Sequence, residues 1–270
     1  MNSAAYQKFI IKNHCGFILF SILMITLLEY IIISVMTTFD TAALYSSMMN
    51  QLPERFKILI SDNYFLHMTV DGAAAFGFNH PIVLVMIVAM AIGIPARHIS
   101  EAIEGGSMEW MLAQPVRRTS LLLSLWMSGC LVLLLIIIGG LAGLISALAV
   151  THTFTSAIFM KMLQVGCNLW LLSIVILSMT LMIAVFGRTG ARTGTISAAV
   201  VLTFYLLYFV AAIWELLEFT RPFNIFTYYQ PQQLMFDRQS FGVNAAVLSG
   251  HIAVLLAVSL IQFRRRDIPG

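Results

Sequence analysis

Residues 99–118 read ISEAIEGGSMEWMLAQPVRR, and the rest of the chain is organised around this stretch. It is a charged island between two long apolar runs, with three glutamates, two arginines, a Gly-Gly pair and a proline. At about 100° per residue, Ile99, Ile103 and Trp110 project within a narrow arc, while Glu101, Glu104 and Glu109 spread over the opposite side. Met108 and Leu112 fall on the acidic side, and Gly105-Gly106 is expected to break the segment into two short helices. Pro115 then ends it, because proline lacks the amide donor and pushes the preceding residue out of the helical region. The expectation is a short helical hairpin at a membrane surface, apolar edge toward lipid and acidic edge offered to something soluble.

Composition explains why a membrane is invoked. Of 270 residues, 60% are hydrophobic and only 10% charged, which leaves too little polar surface to solvate a globular domain. Several apolar runs reach about 20 residues, enough to span a hydrocarbon core of about 30 Å. The formal charge of +3 is too small to suggest nucleic acid, and the basic residues sit mostly at segment ends. Cys15, Cys130 and Cys167 stand at unrelated spacings, so neither a disulfide framework nor a zinc site is expected.

The fold class predicted is an all-α polytopic membrane protein, a single domain over residues 1–270. Its six spans fall at about 16–36, 81–96, 120–150, 158–186, 196–214 and 244–263, with the amphipathic hairpin between the second and third. The first follows a basic head with Lys8 and Lys12. It is too long for a signal-peptide apolar region, and no small-residue cleavage site follows. Glu29 lies well inside it, read either as lining a pathway or as a carboxylate near the outer end that reaches interfacial water. Residues 37–80 form the longest polar excursion, in which 52–60 is a candidate interfacial helix. His67 and His80 flank Asp71 there without a metal-ligand spacing.

The third span begins with Thr119 or Ser120 as N-cap and, at about 45 Å, must tilt or project from the bilayer. Gly139 and Gly143 form a GxxxG, which serves either association between chains or simple internal packing. Residues 187–195, GRTGARTGT, make a tight basic turn. Its Arg188 and Arg192 either grip a soluble partner or lipid headgroup, or serve only as a positive flank. Residues 215–243, rich in aromatics and carrying Pro222 and Pro231, suggest a partly buried re-entrant or interfacial element. Lys8, Lys12, Arg97, Arg117, Arg118, Arg188, Arg192 and Arg264 to Arg266 fall on one side of six spans. Arg55, Lys57, Lys161, Arg221 and Arg238 fall on the other. That bias of ten to five puts both termini and the hairpin in the cytosol.

The run from Glu104 to Arg118, EGGSMEWMLAQPVRR, resembles the E-x-G-[ST]-x-x-x-L-L-[AS]-x-P-x-x-R signature of ABC-2 type permeases. The matching positions are Glu104, Gly106, Ser107, Leu112, Ala113, Pro115 and Arg118. Met111 departs where a first leucine is usual, and Leu125 stands where a lysine often follows. The layout and the arginine-rich end FRRRDIP are also similar to that family, among its size-matched members to the NosY and NatB kinds. The resemblance implies a coupling helix that docks on a separate nucleotide-binding ATPase subunit. It also implies a second permease copy and a prokaryotic cytoplasmic (inner) membrane. The candidate residues for ATPase coupling are Glu101, Glu104, Gly106, Ser107, Glu109, Trp110, Pro115 and Arg118, with Arg188 and Arg192 as a candidate second cytosolic contact. No GxxxxGK[ST] occurs, so ATP and Mg belong on the partner, and the chain itself is expected to hold no cofactor and not to be an enzyme. Export is the expected direction, because the family is largely exporters.

The rival is a secondary, ion-coupled transporter using Glu29. Such a protein normally shows repeat halves and more than one intramembrane ionisable residue. An intramembrane protease would need a paired nucleophile and base. Ser249 and His251 point to different sides of one helix, and His98-x-x-Glu101 lacks a third ligand. The 16 methionines are scattered, and adaptable core packing accounts for them better than copper binding.

Overall fold

The computed structural model describes residues 3–38, 47, 51, 69–113 and 117–266. Among these there is no strand, and six helices are long and apolar enough to cross a membrane: Ala5–Thr38, Val70–Glu104, Arg118–Val150, Ser156–Phe186, Gly190–Ala211 and Phe241–Arg265. The count agrees with the hydropathy reading, but several boundaries move. The candidate helix at 52–60 lies outside the described residues.

The second span starts at Val70 rather than near residue 81. Val70–Asn79 is rich in alanine and glycine, so hydropathy alone assigns it to the polar excursion. Thr69 nevertheless caps it, its Oγ1 accepting from the Gly72 amide at 3.0 Å. His80 interrupts the helix in an extended conformation because Pro81 follows, and its Nδ1 accepts from the Ile82 amide at 3.3 Å as a new helix begins. The third span starts at Arg118 with Arg117 as N-cap, not at Thr119 or Ser120. Its 33 residues run to about 50 Å, well beyond the hydrocarbon thickness.

The first and third spans share the most intimate contact in the molecule, and glycine makes it possible. Gly139 faces Ile22, Gly140 faces Ile25, and Gly143 lies directly on the backbone of Thr26. Thr26 Oγ1 donates to the Gly139 carbonyl at 2.8 Å, a side-chain bond possible only because the backbones are so close. The GxxxG thus serves packing within the chain. The fourth span runs through the middle of the bundle and is the most enclosed, whereas the fifth and sixth leave long apolar faces uncovered.

Residues 215–235 divide into two halves. The 3₁₀ segment Glu215–Phe223 buries nothing and exposes Leu216, Phe219 and Phe223. The second half, Ile225–Tyr228 and Pro231–Met235, tucks Ile225, Phe226, Tyr229 and Leu234 into the core. Buried Asn224 is the pivot: its Nδ2 donates to the Phe204 carbonyl at 2.7 Å and its Oδ1 accepts from the Phe226 amide at 3.0 Å. Asn224→Ala leaves both backbone groups without these partners, at a cost of about 1–2 kcal/mol. The purified variant is expected to melt a few degrees lower in detergent; an unchanged melting temperature would show that Asn224 holds nothing in place.

Candidate functional site

Pro95 has no amide proton to give to the helix it ends, and the next six residues, Ala96–Glu101, widen into a π-turn. A further turn of α-helix, Ala102–Glu104, stops at Gly105-Gly106, where Gly106 takes the left-handed conformation with φ 71°. The chain then re-enters a short helix, Ser107–Leu112, pinned by Ser107 Oγ donating to the Ala102 carbonyl at 3.2 Å. The left-handed glycine resets the register, so a single helical wheel across 99–112 does not hold. Ile99 and Met108 are fully buried, while Trp110 is 82% exposed. Trp110 therefore leaves the apolar arc that the sequence assigns it, and Met108 leaves the acidic side. Glu101, Glu104 and Glu109 are exposed as expected. Pro115, which the sequence reads as the end of the hairpin, lies outside the described residues.

The basic turn sits directly against this hairpin. Thr189 caps the fifth span, its Oγ1 accepting from the Arg192 amide at 3.4 Å, so the helix begins at Gly190 rather than near residue 196. The Gly190 amide, one of the orphan donors of that helix end, donates to Glu104 Oε2 at 3.0 Å. Gly190 also packs on Glu101 so closely that a Cβ there would approach the Glu101 Cβ to 2.9 Å. Beneath them, buried Ser100 shares a 2.7 Å hydrogen bond with Thr193 and donates to the Ala184 carbonyl at 3.3 Å. Arg188 and Arg192 remain exposed beside this junction. Glu104 is thus engaged within the chain, whereas Glu109 and Trp110 make no polar side-chain contact among the described residues.

Two arginines complete this end of the bundle. Arg118 donates to the Arg266 carbonyl at 2.5 Å, and the Arg266 guanidinium donates to the carbonyls of Ala184 (3.3 Å), Val185 and Gly187 (2.7 Å). Those carbonyls end the fourth span, so a cation there satisfies acceptors with no helical partner. Burial, and after it the charge of Arg188, lowers the Arg266 pKa from its ordinary value, although arginine stays charged. On the other flank His14 and His98 meet at 3.1 Å between Nε2 atoms, and Tyr6 and Phe9 pack edge-on against His98. A cleft of about 510 Å³ opens here, lined by Phe9, Arg97, His98, Glu101, Ser107 and Met111 among others. The start of the first span, the hairpin, the 187–195 turn and the end of the sixth span therefore gather at one end of the bundle. Sequence reasoning missed His14, Ser100 and Thr193, which have no motif to announce them, and read Arg266 only as part of the arginine-rich end.

Glu29 lies elsewhere. It is 0% exposed, neither carboxylate oxygen has a hydrogen-bond partner among the described residues, and Gly77 lies against it where a Cβ would overlap the carboxylate. It does not reach interfacial water, which corrects that reading. Close by, buried Tyr229 donates to the Phe78 carbonyl at 2.8 Å. Among the described residues no three His, Cys, Asp or Glu side chains gather as a metal site would require, and Cys15, Cys130 and Cys167 are free thiols.

A family model described as ABC-2 family transporter protein matches residues 10–268. No curated protein matches the chain. Six spans, a charged hairpin after the second, and a match over nearly the whole length lead to one conclusion: the chain belongs to the ABC-2 family and is the multi-pass membrane permease of an ABC transporter.

Proposed function

We propose that this permease is driven by ATP hydrolysed, with Mg, on a separate ATPase subunit that docks on the hairpin over residues 99–113. In this reading the hairpin end faces the cytosol of a prokaryotic cell, two permease copies form the path across the inner membrane, and transport runs outward. The observation that carries it is Trp110, an indole 82% exposed on a helix whose opposite side is anchored in the core by Met108. An aromatic of that size is costly to leave in water and is the residue type most often found at the centre of an interface. Glu101 and Glu109 would supply the charged rim that selects a basic partner surface. Glu104, Gly106 and Ser107 contribute by shaping the hairpin, and Arg118 by fixing its far end, rather than by contact.

Closure of the ATPase pair would push the hairpin toward the bundle, and Ile99 beneath it would carry the load into the second and fifth spans. A pathway role for Glu29 requires the first and second spans to part at Gly77. The rival, an ion-coupled transporter working through Glu29, would need no partner on Trp110.

The test is co-purification of the ATPase with Trp110→Ala and Glu109→Lys permeases. Loss of Trp110 should weaken the complex by about 2 kcal/mol or more, roughly 30-fold, and the charge reversal should weaken it further at low salt. The amount and melting temperature of the permease itself should not change, since neither side chain packs in the core. Undiminished ATPase recovery from both variants would remove the hairpin as the dock.

A further inference from the structure

Arg266 does more than flank a membrane span. Its guanidinium holds three acceptors at the end of the fourth span, the carbonyls of Ala184, Val185 and Gly187, while its own carbonyl is held by Arg118 at the start of the third. The Ala184 carbonyl it binds is also the acceptor for Ser100, which sits in the π-turn of the hairpin and bonds Thr193 at the start of the fifth span. The Arg266 amide, finally, continues the sixth span by donating to the Gln262 carbonyl at 3.0 Å. One side chain and its backbone thus join the ends of the third, fourth and sixth spans, and share an acceptor with the element that leads into the hairpin. A planar guanidinium suits this role because its donors are spread over two nitrogens in a fixed fork, whereas the three donors of an ammonium diverge from a single nitrogen. If Arg266 served only to keep a span end in water, its donors would point outward, and they do not.

We propose that Arg266 is a positioning residue, a latch that makes the sixth span follow the fourth when the hairpin, bonded to the fourth through Ser100, is displaced. The proposal rests on the reading that a nucleotide-driven ATPase moves the hairpin. Without the latch the hairpin and the fourth span still move when the ATPase closes, but the sixth span no longer follows them. Such coupling requires a physical link with two arrangements, not mere nearness.

The experiment is hydrogen exchange on the permease–ATPase complex purified from native membranes, nucleotide-free and with Mg-ATP plus vanadate. In the natural protein, peptides covering the hairpin, residues 181–187 and residues 262–266 should all change their exchange between the two states, by about fivefold or more. In Arg266→Ala the hairpin and residues 181–187 should keep their nucleotide response, while the response at 262–266 disappears. Arg266→Lys should retain an intermediate response. If Arg266→Ala fails to assemble, Arg266→Gln keeps an amide donor in place of the guanidinium fork and should lose most of the response at 262–266 while the hairpin and residues 181–187 keep theirs. A full response at 262–266 in these variants overturns the latch and leaves the docking reading untouched. A natural complex whose hairpin ignores nucleotide overturns the docking reading, and the latch with it.

Discussion

A Gly143→Val permease is expected not to accumulate as folded protein. A Cβ at Gly143 would run into the carbonyl oxygen, Cα and carbonyl carbon of Thr26, and backbone inside a packed helix pair has nowhere to go. To admit valine the first and third spans must separate along the whole seam that Gly139, Gly140 and Gly143 line, which also breaks the Thr26 bond to the Gly139 carbonyl. Overpacking of this kind costs about 3 kcal/mol or more, against a folded state that is only marginally stable. The neighbours grade the effect. Gly139→Ala meets the Ile22 Cγ2 methyl at 2.8 Å, a side-chain atom rather than backbone, and should cost about 1–2 kcal/mol. Gly16→Ala and Gly250→Ala meet nothing within 4 Å and should be silent. Size-exclusion profiles of fluorescently tagged variants read all four. A monodisperse peak of normal height for Gly143→Val would mean that the first and third spans do not pack as described.

Glu29→Lys should be nearly as damaging. It replaces a buried side chain that has no hydrogen-bond partner among the described residues with a longer, cationic one pressed against Gly77. A lysine at mid-membrane costs about 3 kcal/mol even on the mildest scale, before any loss of packing is added. Glu29→Gln keeps shape and should fold. A sharper form of the same prediction uses the gap itself. Gly77→Ala overlaps the carboxylate in the natural protein but has free space once Glu29 is alanine. The two substitutions should therefore be non-additive, the second costing about 1 kcal/mol less in the double variant. Additive melting temperatures would show that Glu29 and Gly77 do not touch.

How much of this can be read without coordinates varies by element. Six spans and the hairpin follow from hydropathy and from one proline-glycine-glutamate pattern, because long apolar runs allow few other structures. Boundaries fail where small residues stand in for apolar ones. Val70–Asn79 is helical through its alanines and its Thr69 cap, and Gly190–Ile213 starts early because Thr189 and Glu104 satisfy its first amides. Within the hairpin the three glutamates are exposed as their spacing implies, but Trp110 and Met108 exchange places, since one left-handed glycine invalidates the wheel beyond it. The contacts least visible in sequence are those between distant segments. Arg266 stands 82 residues from Ala184 and reads simply as a positive flank, and Ser100 gives no sign of Thr193. Glu29 is conspicuous in sequence, yet only its packing against Gly77 separates a dry carboxylate from an interfacial one.

The central claim is that a separate ATPase sits on Trp110 and moves this permease. The direct measurement is to capture the tagged protein from its native membranes, identify what is bound at stoichiometric level, and assay ATP hydrolysis of the natural complex beside the Trp110→Ala form. The account predicts one ATPase per permease copy, with hydrolysis that elutes with the natural permease and is largely lost with Trp110→Ala. A homogeneous permease that elutes without any ATPase, or an ATPase bound equally well after loss of Trp110, would contradict it.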